Sequence, residues 1–139
     1  MIFVDTGAWF ARFVEHDADH AAALEWLHSN RQPLVTTEFV IDELVTLLCA
    51  RKQRAKALEV GEQLLISGSV HIEHVTTGDV AEAWKTFKAF SDKDWSFTDC
   101  TSRVVMQRLG IRTAFAFDDD FRQFAQWMLC RHWRHRCSC

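Results

Sequence analysis

At 139 residues, with 48% hydrophobic and 25% charged residues, six Trp, eleven Phe and no Tyr, the chain has the composition of one globular domain, not of a disordered or fibrous protein. Its net charge of −3 excludes a protein that adheres to polyanions through bulk charge alone. The five cysteines, Cys49, Cys100, Cys130, Cys137 and Cys139, are an odd set with three crowded into the last ten residues, which excludes a disulfide framework.

In chain order, "IFV" at 2–4 is a short apolar run that stops at Asp5. "PLVTT" at 33–37 is a second, opened by the only proline. "VHIEHV" at 70–75 alternates as a strand with one wet face does, and "TAFAF" at 113–117 follows the helix-ending "LGIR". Between these four strand candidates lie helical stretches. Residues 17–29 have Asp17 or Asp19 as capping candidates, and residues 38–50 carry Val40, Leu44, Leu47 and Leu48 on one stripe. Residues 54–66 and 79–90 are patterned in the same way. In "SFTDCTSRVVMQRLG", Ser96 and Asp99 form a capping-box pattern with Thr98 as a competing cap, and Gly110 supplies a left-handed stop. Strands separated by helices imply a mainly parallel sheet covered on both faces. The opening "MIFVDTGAWF" lacks a positive n-region, and no apolar run reaches the roughly 18 to 20 residues that cross a bilayer. A cytoplasmic protein without a membrane segment is therefore expected.

Ligands of open parallel α/β sheets bind beyond the carboxyl ends of the strands. Asp5 follows the first strand and Asp118 the last, while Asp99 opens the helix that leads into that last strand. Glu43 lies on the helix after the second strand, at one margin of its apolar stripe. Asp42 lies near the other margin, and helix geometry alone leaves the two open. Acids gathered in one pocket raise each other's pKa unless a cation neutralises them. Oxygen-only ligation suits Mg²⁺ or Mn²⁺ rather than Zn²⁺, and the chemistry of such ions at carboxylate sites is phosphoryl transfer.

The segments "IFVDTGAWFA", "TTEFVIDELVTLL" and "FTDCTSRVVMQRLGIRTAFAFDDDF" resemble, in order and over most of the chain, the PIN-domain nucleases, especially the VapC-like toxins of type II toxin-antitoxin systems. The resemblance implies a three-layer α/β/α fold with a mainly parallel sheet of four or five short strands. It divides the chain into a nuclease domain at 1–128 and a basic Cys/His-containing tail at 129–139. It also implies cleavage of single-stranded or looped RNA with Mg²⁺ or Mn²⁺. Carried over by motif, Asp5, Glu43, Asp99 and Asp118 match the acidic tetrad, and the family pattern selects Glu43 over Asp42. Asp120 matches an additional acidic position, and Thr6 and Thr98 match hydroxyl positions beside the metal. The toxin branch further implies a small antitoxin and a homodimer. Gly7 departs from the Ser often found there, and "CRHWRHRCSC" departs from the family's usual ending.

Other readings follow from the same residues. A nuclease of this fold in RNA maturation, and a degenerate member that only binds RNA or protein, are the alternatives. A haloacid-dehalogenase phosphatase needs a second Asp where Gly7 stands. His16 and His20 share a helical spacing without the Glu of a metalloprotease motif. His71 and His74 fall on opposite faces of a regular strand. Cys130, His132, His135, Cys137 and Cys139 have soft-metal chemistry but fit a basic tail better. Trp9 fits core packing better than stacking on a nucleobase.

Overall fold

The computed structural model describes residues 1–117. Four strands, β1 (Ile2–Val4), β2 (Leu34–Thr37), β3 (His71–Glu73) and β4 (Ala114–Phe115), form one sheet in the order β3-β2-β1-β4. Every pairing is parallel: Phe3 lies opposite Val35 on one side and Ala114 on the other, and Thr36 lies opposite Ile72. The residues that follow the strands, Asp5, Glu38 and His74 among them, consequently emerge at one edge.

Six helices among the described residues cover the sheet: α1 (Thr6–Phe13), α2 (His20–Ser29), α3 (Glu38–Ala50), α4 (Arg54–Gly61), α5 (Thr77–Ala89) and α6 (Phe97–Leu109). α1 packs against α2 and α3, and α5 and α6 form a helical hairpin whose second arm leans on α3. The core centres on Phe3, Val4, Val35, Val40, Leu44 and Leu48, all removed from solvent. Each contributes about 1.5–3 kcal/mol of burial.

The expected strands and four of the expected helices are present, with α3 spanning 38–50 as its stripe requires. The helix expected over 54–66 changes character midway: α4 stops at Gly61, and Glu62–Ile66 continues as a π-helical turn. α1 has no counterpart in the sequence reading. Its "TGAWFARF" buries Thr6, Ala8, Trp9, Phe10, Ala11 and Phe13, and its eight residues make barely two turns, too few for the helical period to repeat. α6 is capped as its sequence requires. The Ser96 hydroxyl accepts from the Asp99 amide at 3.0 Å, Asp99 Oδ2 accepts from the Ser96 amide at 2.8 Å, and Gly110 takes the left-handed conformation at φ 67°. Thr98, the competing cap, lies one residue inside the helix. Thr76 and Asp79 build a second capping box on α5.

Arg108 ties the far end of this hairpin to the sheet. Its guanidinium donates to Asp79 (3.0 Å), to Glu73 (2.8 Å) and to the His74 carbonyl (3.0 Å). The His71 and Arg108 bonds hold the Glu73 carboxyl below the usual carboxylate range. Burial pushes Asp79 upward, but its bonds from Arg108 and Thr76 outweigh that and leave it lowered. Trp9 is 3% exposed, and its indole N–H donates to the Thr36 hydroxyl, which donates in turn to the Val4 carbonyl. That indole is core, as its pattern suggests.

Candidate active site

Asp5 is 1% exposed and occupies the N-cap position of α1, yet its carboxylate makes no cap bond to that helix. Its backbone is fixed from both sides: the amide donates to the Phe115 carbonyl at 3.1 Å, and the carbonyl accepts from the Trp9 amide at 3.1 Å. The end of β1 is thereby clamped between β4 and α1. Thr6, 6% exposed, has a buried hydroxyl with no hydrogen-bond partner. An orphaned buried hydroxyl costs about 1–3 kcal/mol, which is a reason to look for a ligand.

Glu43 and Asp99 arrive from different elements. On α3, Asp42 is exposed whereas Glu43 is half-buried beside Leu44. Burial thus distinguishes the two acids that helix geometry leaves open. Ser96 Oγ donates to Glu43 Oε2 at 3.5 Å while serving as the cap that fixes Asp99. One hydroxyl thus links two acids 56 positions apart in the chain. Thr98 lies in the same first turn and is half-buried; its carbonyl accepts from the Thr101 hydroxyl at 2.8 Å.

Asp118, Asp119 and Asp120, together with the Cys/His cluster of the tail, lie outside the described residues. Among the described residues no three His, Cys, Asp or Glu side chains form a ready metal cage. The chemistry of the donors still suits a hard cation, since they are carboxylates and hydroxyls and the Thr6 oxygen is unsatisfied. Cys100 adjoins Asp99, but burial, and then the Asp99 charge, push its thiol up to about 11. It stays protonated near neutral pH and is no nucleophile.

Sequence reasoning treated Ser96 as a cap and missed its contact with Glu43, which depends on α3 and α6 crossing. It also missed Glu38. That carboxylate accepts from the Val75 amide at 2.9 Å and lies 3.4 Å from His74 Nδ1, tying β3 to the start of α3. The acid in "TTEFV" was a visible signal, since a first-turn acid directly after a strand shares the edge with Asp5.

Comparison with known proteins identifies the family and the fold. A PIN-domain family model matches residues 2–126. The 23S rRNA-specific endonuclease VapC20 of Mycobacterium tuberculosis is 36% identical over 121 residues, covering 87% of this chain and 92% of that protein. Ribonuclease VapC26 of the same organism is 26% identical over 117 residues, covering 84% and 86%. The crystal structure of M. tuberculosis VapC20, described as a sarcin-ricin loop cleaving toxin, superposes with a TM-score of 0.83 at 35% identity. It covers 88% of this chain and 94% of that one. The chain belongs to the PIN-domain family, in its VapC-like branch.

Proposed function

We propose that this chain is an endoribonuclease that depends on Mg²⁺ or Mn²⁺ and cuts single-stranded or looped RNA as the toxin of a toxin-antitoxin pair. The observation that carries the reading is the joining of Glu43 and Asp99 through Ser96, with buried Asp5 at the carboxyl end of β1. The names of the similar proteins, a 23S rRNA endonuclease and a ribonuclease, support RNA as the substrate.

Asp5, Glu43 and Asp99 are assigned as the acids that hold the cation, with Asp118 as the fourth and Asp120 as an accessory. Thr6 and Thr98 are assigned as flanking hydroxyls. Bound there, the ion supplies polarisation of a phosphodiester oxygen and a lowered pKa for water. The protein's own contribution is position. Asp5 is fixed by backbone bonds, Glu43 by the rigid α3 and Asp99 by its cap, so the acids need little reorganisation. With the Cys100 thiol protonated, attack on phosphorus is assigned to water, whose oxygen forms the new P–O bond as the bridging one breaks.

The toxin assignment brings a cytoplasmic site of action, a small antitoxin and a homodimer. The test is cleavage of mixed RNA by the purified chain with Mn²⁺ and with chelator. Cleavage that requires Mn²⁺ is expected, and full cleavage in chelator would overturn the metal assignment. Growth arrest on expression, relieved by a co-encoded small protein, separates a toxin from a maturation nuclease.

A further inference from the structure

Three aromatic rings gather at the start of α6 where nothing in the chemistry above uses them. Trp84 and Phe87 on α5 stack with centroids 5.7 Å apart, and Phe97 meets both edge-on at 6.2 and 6.1 Å. The cluster faces solvent, with Trp84 51% and Phe87 39% exposed. Phe97 is the residue after Ser96, the hydroxyl that links Glu43 and Asp99. Phe97 and Asp99 lie about 200° apart around the helix, so the rings and the acids flank the N-terminus of α6 on opposite sides.

Charge distinguishes the possible occupants. Trp84, Phe87 and Lys88 fall at positions i, i+3 and i+4 on one face of α5, and Lys88 is exposed with no ion pair among the described residues. On α6, one turn beyond Asp99, Arg103 lays its guanidinium over Phe90 at 5.9 Å. Rings beside a cation such as Lys88, unpaired among the described residues, suit a polyanion that carries flat apolar bases. The two exposed rings and the edge of Phe97 present on the order of 200 Å². That is well short of the roughly 800 Å² per partner that a stable dimer buries.

We propose that Trp84 and Phe87 form a stacking platform for unpaired nucleobases across the start of α6 from Asp99, a specificity-determining surface for RNA. This rests on the ribonuclease reading. A strand crossing the start of α6 would place bases on the rings and a phosphodiester toward Asp99, so the platform favours unpaired segments over continuous duplex.

The test compares the wild-type chain with Trp84→Ala, Phe87→Ala and Trp84→Phe. It measures affinity for a short fluorescent single-stranded RNA in chelator, affinity for an abasic oligonucleotide of equal length, and cleavage with Mn²⁺. Both alanine variants are expected to bind the RNA about tenfold more weakly, with Trp84→Phe restoring most of the loss. Abasic affinity should not change, and cleavage should lose through KM rather than kcat. Equal RNA affinity in all variants, while the wild type still cuts, would overturn the platform alone. A wild type that neither binds nor cuts RNA would remove the underlying reading and the platform with it. If Trp84→Ala instead turns a dimer into a monomer in sedimentation, the face is an interface between copies and the platform is overturned.

Discussion

Ser96 and Glu43 meet across 53 residues of chain, hydroxyl to carboxylate at 3.5 Å, and the same hydroxyl caps the helix that carries Asp99. Local helix chemistry and the assembly of the site therefore share one atom. Ser96→Ala should cost about 1 kcal/mol in stability from the lost cap. It should also lower RNA cleavage by more than that destabilisation accounts for, because Glu43 loses its neighbour. Ser96→Thr, which keeps the hydroxyl, should retain most of both. Thermal unfolding read beside cleavage rates checks this, and equal activity in Ser96→Ala would dismiss the link.

The neighbours Asp42 and Glu43 should behave very differently. Asp42 is exposed and Glu43 half-buried against Ser96. Glu43→Gln is expected to reduce cleavage about a hundredfold or more, the scale of losing one preorganised charge at a reacting centre. Asp42→Asn should leave the rate within a factor of about two, as surface substitutions usually do.

Thr6 allows a ligand role to be separated from a packing role. Its hydroxyl is buried without a hydrogen-bond partner, so Thr6→Val removes an unsatisfied group at nearly constant shape. Without metal the variant should be as stable as the wild type or slightly more so. Its Mn²⁺ affinity by calorimetry should fall. A loss of stability with unchanged Mn²⁺ binding would show the hydroxyl to be structural.

The Arg108 clamp sets an acid limit on stability. Glu73 and Asp79 both have lowered pKa values in the fold, starting from ordinary values of 4.5 and 3.8. Their contribution is present in full above those ordinary values and is lost as pH falls through the lowered ones. The melting temperature should thus drop steeply below about pH 4. Arg108→Ala should flatten that dependence. At neutral pH it should cost about 2–3 kcal/mol, less than a fully buried pair because Arg108 is a third exposed while Asp79 is not. Scanning melts across pH for both proteins provides the check.

The parts of this molecule that could be read from its sequence are those whose cause is local. Ser96, Asp99 and Gly110 mark both ends of α6 because caps are made by residues a few positions apart. The strand order places Asp5 at the carboxyl edge of the sheet because β1 stops there. α1 escaped because its eight residues make barely two turns, and the π turn after Gly61 escaped because its residues continue the same stripe. The bond from Ser96 to Glu43 is a tertiary fact, set by how α3 and α6 cross.

Cleavage of RNA by the wild type, Asp5→Asn and Asp99→Asn, side by side in Mn²⁺, tests the central claim most directly. Loss of cleavage in both variants, with circular dichroism unchanged, is the expected result. Cleavage at the wild-type rate in both would contradict the acidic site.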